Sequence, residues 1–292
     1  MTDPIPPESV FSPARVEAEV ARQQTSSPQT EDPAYRLAFQ DMEFLLRQDL
    51  RPVRFQLELL KPQLLLDEAD IASTFVFYGS ARIPEPSKAD ALIQNAATDN
   101  QRRIAERLKA KSHYYDEARN LARLASRVGR DAEGKQHFVV CSGGGPSIME
   151  AANRGAVDEG ADSIGLNIVL PFEQLPNAYV TPSLSFQFHY FALRKMHFLI
   201  RARAVAVFPG GFGTFDEAFE LLTLIQTGKV KPVPILFFGA DYWNRVINFE
   251  ALVEEGTISP NDLELFSFVE TADEAWAHVC AHYADSDSPL GC

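Results

Sequence analysis

The chain has 292 residues, enough for one α/β domain with additions or for two small domains. Its 40 acidic residues outnumber 27 basic residues, which gives a formal net charge of −13. A nucleic-acid interface needs a basic face, so we expect no nucleic-acid partner. A small anionic ligand is compatible with this charge, because glycine loops and a few arginines can set the potential of one cleft.

The cysteines and the apolar runs of the sequence indicate in which cellular compartment we expect the protein. Cys141, Cys280 and Cys292 are odd in number and widely spaced, which suggests neither a disulfide framework nor a metal motif and favours a reducing compartment. The first residues contain prolines and acids without an apolar core, unlike a signal peptide, and no apolar run approaches the length of a membrane span. We therefore expect a cytoplasmic protein with no membrane partner.

The distribution of proline and apolar residues divides the chain into four parts. Prolines and polar residues near the amino terminus indicate disorder. Apolar residues recur at roughly helical spacing over 34–50, and a second helix is expected over 53–66, kinked or split at Pro62. Their apolar stripes need a surface to cover, on the main domain or on a second subunit. The predicted parts are a disordered N-terminal segment (1–33), a helical extension (34–70), a main domain (71–284) and a flexible tail (285–292).

Short apolar runs alternate with amphipathic segments through the main domain. Runs rich in β-branched and aromatic residues predict strands at 74–78, 137–141, 163–169, 204–208 and 233–238. Helical patterns are predicted at 88–128 with a break near Asp99, and at 147–158, 188–203, 214–226, 241–255 and 272–283, with a short apolar piece at 265–269. Apolar strands that alternate with helices are typical of a parallel sheet covered on both faces. We therefore predict an α/β fold, a Rossmann-like parallel sheet with an N-terminal helical extension.

Three glycine-containing turns follow predicted strands directly. They contain Gly79 and Ser80 after the first strand, Gly143, Gly144 and Gly145 after the second, and Gly210, Gly211 and Gly213 after the fourth. Because the carboxyl ends of parallel strands meet at one edge of the sheet, we expect the three turns to lie together there. In open α/β sheets this edge is where ligands bind.

The turn at residues 209–214, which we call the glycine loop, carries the most chemical information. Its glycines allow a sharp turn and a close approach of the backbone to a ligand. The free N–H groups and the dipole of the next helix favour an anion, and Thr214 is placed to cap that helix and to donate its hydroxyl to a phosphate. The spacing matches neither a Walker loop nor a dinucleotide fingerprint. A phosphate site is the hypothesis, and a tight turn without a ligand is the alternative.

The sequence PGGFGTFDE at residues 209–217 resembles the PGGxGTxxE signature of the Lonely Guy (LOG) family. Three further elements resemble that family in the same order along the chain, namely a Gly-Ser turn (79–80), a glycine triplet (143–145) and an Arg-Lys pair (194–195). The residues before the pair are Phe-Ala-Leu, where the family usually has Met-His-x. LOG proteins are nucleotide phosphoribohydrolases, often labelled lysine decarboxylase-like, and the long N-terminal part is similar to a larger bacterial-type subgroup.

The resemblance implies that residues 71–284 form a nucleotide-binding catalytic domain. Its substrate would be a nucleoside 5′-monophosphate of the AMP or cytokinin riboside type, cleaved at the N-glycosidic bond to free base and ribose 5-phosphate. The catalytic residues that the resemblance implies are Glu217 and Arg194. The residues alone leave open that Glu217 is a helix N-terminal acid and that Arg194 lies on a solvated or salt-bridged helix face. The expected substrate- and phosphate-binding residues are Gly210, Gly211, Gly213, Thr214, Gly143, Gly144, Gly145, Gly79, Ser80 and Lys195.

Two other functions stay open at this point. A nucleotide-binding or nucleotide-sensing protein without turnover would use the same cradle. A pyridoxal-dependent lysine decarboxylase would need a Schiff-base lysine, for which Lys195 is the candidate. No residues have metal-ligand spacing, and we expect neither a metal nor a cofactor. The resemblance implies a homodimer or a larger homo-oligomer, while the base preference depends on loops such as 172–181 that the pattern does not place.

Overall fold

The computed structural model describes residues 11–171 and 175–284. The chain divides into two compact units, Met1–Glu58 and Leu59–Cys292. The predicted disordered segment 1–33 lies partly outside the described residues, and the predicted tail 285–292 lies wholly outside them.

The first unit contains short helical segments. They are α1 (Ala14–Arg22), α2 (Pro28–Glu31) and α3 (Met42–Leu45), with 3-10 turns at Pro33–Tyr35, Ala38–Gln40 and Gln48–Leu50. The predicted continuous helix over 34–50 is therefore wrong. Asp32, just before that region, accepts from the N–H of Ala34 (2.8 Å), and Asp41 within it starts a new helical turn by accepting from the N–H of Phe44 (3.2 Å). The next helix, α4 (Arg51–Glu68), contains Pro62 and is not split by it.

Seven parallel strands form one sheet. They are β1 (Thr74–Tyr78), β2 (Val139–Ser142), β3 (Ser163–Ile168), β4 (Ser185–Phe188), β5 (Ala202–Val207), β6 (Ile235–Phe238) and β7 (Ser267–Val269), in the spatial order β4-β3-β2-β1-β5-β6-β7. The predicted parallel α/β sheet is confirmed, with a strand more at each edge. Both added strands are short, and β4 alternates polar and apolar residues in a region where a helix was predicted to begin.

The strand order reverses between β1 and β5. From β1 the chain adds strands outward to β4, then returns to place β5 on the other side of β1 and continues to β7. The turns after β1 and β5 are therefore neighbours, and the N–H of Ser80 donates to the carbonyl of Pro209 at 3.1 Å. This point of reversal is where open α/β sheets form their ligand crevice.

Nine helices follow in the second unit after α4 over the described residues. They are α5 (Pro86–Gln94), α6 (Asp99–Lys109), α7 (His113–Ser126), α8 (Ile148–Asp158), α9 (Phe191–Ile200), α10 (Phe212–Gln226), α11 (Ala240–Val246), α12 (Phe249–Glu254) and α13 (Ala272–Tyr283). The predicted break near Asp99 exists, because Thr98 caps α6 in a reciprocal capping box with Gln101. A second break, before α7, was not predicted.

Alternate side chains of the central strands enter two separate layers. Phe75 and Phe77 of β1 pack into a buried cluster with α7, α8 and α13, whereas Tyr78 contacts Phe198 of α9 edge to face, with ring centres 5.1 Å apart. All residues of β1, β2 and β6 are buried, as expected for a sheet covered on both faces. Over the described residues, no helix combines the length and the apolar character needed to cross a bilayer.

Candidate active site

A cavity of about 920 Å³ opens at the carboxyl edge of the sheet, above β1 and β5. The turns after β1, β2 and β5 all contribute to its wall, together with the starts of α9 and α10 and part of α11. Of the predicted site residues, those that line it are Gly79, Ser80, Gly143, Gly145, Arg194, Gly210, Gly211, Gly213, Thr214 and Glu217. Strand polarity therefore brings together residues that lie far apart in the sequence.

The glycine loop exposes its backbone to this cavity. A Cβ atom at Gly211 or Gly213 would meet no other atom within 4 Å, so the space beside both residues is open. The helix α10 begins at Phe212, and the first N–H groups of a helix have no partner within the helix. The loop thus presents free N–H donors at the positive end of a helix dipole, the arrangement that favours a phosphate.

Thr214 does not have the capping role predicted from the sequence. Gly211 is the N-cap of α10 and no side chain caps the helix, because α10 starts two residues earlier than predicted. Thr214 is buried in the first turn and packs against Gly210, where an added Cβ would lie 2.1 Å from the Thr214 hydroxyl oxygen. Gly210 is thus required by packing, while Gly211 and Gly213 leave space for a ligand.

Glu217 and Arg194 form a buried ion pair that faces the cavity. One Nη of Arg194 donates to an Oε of Glu217 at 3.0 Å, and only 10% and 13% of the two side chains are exposed. The Nε of Arg194 donates to the carbonyl of Leu166 in β3 at 2.7 Å, and its guanidinium lies 4.9 Å from the centre of the Phe198 ring. These contacts hold Arg194 in one orientation, and Arg194 in turn holds the carboxylate.

Burial dominates the protonation of Glu217. Removal of the carboxylate from water raises its pKa, while Arg194 lowers it, and the net result is a pKa of about 7. Burial and the nearby charge of Glu217 together raise the pKa of the Tyr78 phenol beneath the site. A carboxyl group that titrates near neutral pH in a cavity is a candidate general acid or base.

The turn after β2 makes room for the ion pair. A Cβ atom at Gly143 would lie 2.6 Å from the second Nη of Arg194 and 2.8 Å from the sulfur of Met149. Gly144 has a φ of +71° and does not line the cavity, and its added Cβ would lie 2.7 Å from the Asn167 amide. This turn therefore shapes the site chiefly because its glycines have no side chains that would collide with Arg194 and Asn167.

Lys195 lies outside the cavity. Its ammonium group binds Asp216 at 3.0 Å and Glu220 at 3.2 Å on the outer side of α10. Burial lowers the pKa of Lys195, but the hydrogen bonds to the two carboxylates outweigh it, and the pKa is raised overall. Asp216 and Glu220 are thus partners of a half-buried lysine outside the cavity. The expected contact between Lys195 and a phosphate is not formed by this geometry.

In comparisons with known proteins, the matched segment contains these site residues. A family profile described as "Possible lysine decarboxylase" matches residues 149–279, the stretch that contains Arg194, the glycine loop and Glu217. The cytokinin riboside 5′-monophosphate phosphoribohydrolase LOG3 of Arabidopsis thaliana is 29% identical over 168 residues, 56% of this chain and 73% of the relative. The probable enzyme of the same kind LOGL3 of Oryza sativa subsp. japonica is 28% identical over 176 residues, 56% of this chain and 74% of the relative. The resemblance of this chain to LOG proteins is thus confirmed.

Among solved structures, the molybdenum cofactor carrier protein of Chlamydomonas reinhardtii is similar to this chain. The TM-score is 0.42 at 14% sequence identity, and the match covers 73% of this chain and 99% of the carrier protein.

Several cavity residues lie outside the LOG motif positions and were not predicted. They are Met149, Asn167, Ile168, Leu170, Phe191, Phe212, Phe215, Tyr242 and Val246. Asn167 had a readable signal, because it is a polar residue between the apolar Leu166 and Ile168 of β3. Tyr242 had none, since its hydroxyl reaches the carbonyl of Gly210 (2.5 Å) across 32 positions of sequence. Within the described residues, no group of three or more His, Cys, Asp and Glu side chains could hold a metal ion.

Proposed function

We propose that the protein is a nucleotide phosphoribohydrolase, which cleaves the N-glycosidic bond of nucleoside 5′-monophosphates to free base and ribose 5-phosphate. The observation that carries this proposal is the buried Arg194–Glu217 pair, which faces one cavity together with the open glycine loop. Similarity to LOG proteins supports the same reaction, since curated relatives are named for it.

In this proposal the glycine loop anchors the 5′-phosphate. Gly211 and Gly213 leave the backbone accessible, and the amino end of α10 supplies N–H donors and a favourable dipole. The phosphate lies several bonds from the reacting C1′ carbon. Binding energy at the loop can therefore position the sugar for reaction, as remote groups of a substrate do in other enzymes.

The ionised Glu217 carboxylate is the group proposed to act at C1′. As the bond from C1′ to the base stretches, positive charge develops on the ribose, and a neighbouring carboxylate stabilises it. A water molecule then forms the new bond to C1′, its proton passes to Glu217, and the base leaves with the electron pair and receives a proton. A pKa of about 7 suits both steps, because the group can accept and release a proton near neutral pH.

Arg194 is proposed to position Glu217 and to keep it ionised. Without the guanidinium at 3.0 Å, the pKa of the buried carboxyl would rise further and less of it would carry charge. The second Nη of Arg194 lies near Gly143 at the cavity wall, within reach of a bound sugar or base. This role differs from that of a surface salt bridge, since neither partner is exposed.

Release of free base from a panel of nucleotides tests the proposal. The protein is incubated with AMP, GMP, CMP, UMP and a cytokinin riboside 5′-monophosphate, and the free base is measured by chromatography. We expect base release from at least one of them, and its loss in Glu217→Gln. Asp216→Asn removes the neighbouring acid and should keep the activity. No release from any of these nucleotides would contradict the proposal and favour a nucleotide-binding protein without turnover.

The position of Lys195 does not support the hypothesis of a pyridoxal-dependent lysine decarboxylase. A Schiff-base lysine needs a neutral amine in the site, and this one is paired with two carboxylates that raise its pKa. No lysine lines the cavity among the residues that the structure describes.

We also propose a homodimer or larger homo-oligomer. In the first unit, large apolar side chains are exposed at Tyr35, Phe39, Met42 and Leu46. Large exposed apolar patches are typical of interaction surfaces, and we propose that these side chains belong to one. Light scattering coupled to size-exclusion chromatography measures the mass in solution, and a mass of 32.5 kDa, that of one chain, would contradict this proposal.

A further inference from the structure

Asn167 places an amide group in the wall of the cavity, near the end of β3. Its Nδ2 donates to the carbonyl of Phe186 in β4 at 3.3 Å and, at 3.5 Å, to the carbonyl of Gly165. An amide nitrogen can only donate and an amide oxygen can only accept. The two carbonyls therefore fix which end of the amide is the nitrogen, and Oδ1 is the end left for a ligand.

The oxygen of this amide has no donor from the protein. Over the residues that the structure describes, the hydrogen bonds of the Asn167 side chain are the two that Nδ2 donates. The amide packs on Gly144, where an added Cβ would lie 2.7 Å from both of its polar atoms, so the group is held in place. A ligand that covers Oδ1 without supplying a donor would leave it without a hydrogen bond, which costs binding free energy.

A series of contacts places Asn167 on the far side of the catalytic pair from the glycine loop. Glu217, eight residues after the start of the loop, binds one Nη of Arg194 at 3.0 Å. The Nε of Arg194 donates to the carbonyl of Leu166 at 2.7 Å, and that carbonyl belongs to the peptide unit that continues into Asn167. In the sheet, β3 is three strands away from β5, which is about 14 Å at the usual strand spacing.

A nucleotide bound as proposed would direct its base toward Asn167. With the phosphate on the glycine loop and C1′ at Glu217, the base lies next to Arg194 and Asn167. The second Nη of Arg194, at the cavity wall beside Gly143, is a donor, and the Asn167 oxygen beyond it is an acceptor. Adenine and cytosine match this order, because each has an acceptor ring nitrogen beside an exocyclic amino group that donates.

We propose that Asn167 is a specificity-determining residue, which selects bases with an exocyclic amino group over bases with an oxo group at the same position. This inference rests on the proposed function, because it assumes where the phosphate and the sugar bind. The Asn167 oxygen accepts one N–H of the amino group of adenine or cytosine. The oxo group of hypoxanthine or uracil would instead place a second acceptor against it.

The structural alternative is that Asn167 only joins two strands. Its Nδ2 contact with the Phe186 carbonyl links β3 to β4, which are already paired along their length. That role accounts for the nitrogen of the amide and gives no function to the oxygen. The alternative predicts that removal of the amide leaves the relative affinity for amino and oxo bases unchanged.

A binding experiment distinguishes the two roles. The background is Glu217→Gln, which is expected to prevent turnover, so that differences in how readily each base leaves do not enter. In this background Asn167→Leu replaces the amide by an apolar group of similar size. The control is Gln187→Leu, because Gln187 is the exposed partner of Asn167 across β3 and β4 and does not line the cavity. Calorimetry gives the dissociation constants of AMP, IMP, CMP and UMP for each protein.

We expect the background and the control to bind AMP at least about tenfold more tightly than IMP, and CMP at least about tenfold more tightly than UMP. Asn167→Leu should reduce both ratios to less than about threefold, chiefly through weaker binding of AMP and CMP. Equal affinities within each pair in the background, a preference for the oxo bases, or ratios that survive in Asn167→Leu would overturn the proposal.

A second comparison needs no change at Asn167 and so does not depend on whether that variant folds. N6-methyl-AMP keeps one N–H on its exocyclic nitrogen, whereas N6,N6-dimethyl-AMP has none. The background should bind the dimethyl nucleotide at least about tenfold more weakly than the monomethyl nucleotide, and Asn167→Leu should bind the two alike. Equal binding by the background, or a difference that persists in Asn167→Leu, overturns the role of the amide.

Together with the release of base by the protein that retains Glu217, these data separate this proposal from the proposed function. Base release without a preference for amino bases removes the role of Asn167 and leaves the reaction intact. A preference that is lost in Asn167→Leu, without base release, keeps that role and removes the reaction. Absence of binding by all of these nucleotides contradicts both.

Discussion

Ion pairs join α9 and α10 on two sides, and the two sides differ mainly in how much water reaches the carboxylates. The inner pair, Arg194 with Glu217, is buried against the cavity, whereas the outer pair, Lys195 with Asp216, has an aspartate that is 55% exposed. The members of the two pairs are adjacent in sequence on each helix. Successive helical residues point about 100° apart, so a step of one residue moves a charge from the cavity to the solvent.

The comparison shows that environment rather than residue type creates the candidate catalytic group. Burial raises the pKa of Glu217 to about 7, and its loss of hydration is only partly offset by Arg194. The outer pair remains in contact with water, where ion pairs contribute little to stability. We expect turnover and stability to depend on the buried inner pair much more than on the hydrated outer pair.

The largest expected effect is on turnover. Glu217→Gln keeps the size and the hydrogen-bonding capacity of the side chain but removes the charge, so kcat should fall on the order of a thousandfold. Asp216→Asn, its neighbour in the outer pair, should change kcat by less than about threefold. Base release under saturating nucleotide measures both, and similar losses in the two variants would refute the distinction between the pairs.

The free energy of unfolding should also depend more on the inner pair than on the outer pair. Arg194→Met leaves a buried carboxyl without its cation, and we expect a loss of about 3 kcal/mol in the free energy of unfolding, limited because Glu217 can become protonated. Lys195→Met should cost no more than about 1 kcal/mol. Urea titration followed by circular dichroism measures both, and a larger loss for Lys195→Met would contradict the inner pair's special status.

A substitution at Gly143, which belongs to neither ion pair, should disturb only the Arg194–Glu217 pair. Gly143→Ala places a methyl group 2.6 Å from an Arg194 nitrogen, which must move, and kcat should fall at least about tenfold. Gly211→Ala is the matched control for stability, because its methyl group meets no atom within 4 Å. That variant should unfold like the parent protein while binding nucleotide more weakly. Unchanged kcat in Gly143→Ala would show that the position of Arg194 does not matter.

The last prediction concerns pH and needs no substitution. Since the ionised Glu217 is the active form and its pKa is about 7, kcat/KM should rise with pH through neutrality. Below that pKa the slope approaches a factor of ten for each pH unit, and above about pH 8 the profile should be flat with respect to this group. Asp216→Asn should leave the midpoint close to its original value. A flat profile from pH 5 to pH 8 would exclude Glu217 as the titrating group.

Much of the fold could be predicted because its signals are local. Apolar runs and intervening amphipathic segments indicated the parallel sheet, and strand polarity alone placed three glycine turns at one edge. The edge strand β4 was missed because its Ser-Phe-Gln-Phe sequence is short and half-polar beside a helix start. The helix over 34–50 was predicted from apolar spacing, and the capping Asp41 inside that region interrupts it.

The site was predictable in its residues and less so in its geometry. Glu217 and Arg194 were selected through the LOG motif, while Lys195 came from the same motif and lies outside the cavity. The direction of each side chain on α9 could not be derived, because apolar residues occur on several sides of that helix. Tyr242 comes from a segment distant from the glycine loop, and no pattern within one segment indicates its contact with Gly210.

The sequence by itself determined the elements, the polarity of the strands and the identity of the groups available at the sheet edge, because these depend on short-range preferences and chain direction. Only the tertiary structure decided which carboxylate loses its water and which keeps it. Hydration depends on what other segments pack around a side chain, and here a rotation of one position along α9 and α10 separates a carboxyl that titrates near neutral pH from a surface salt bridge.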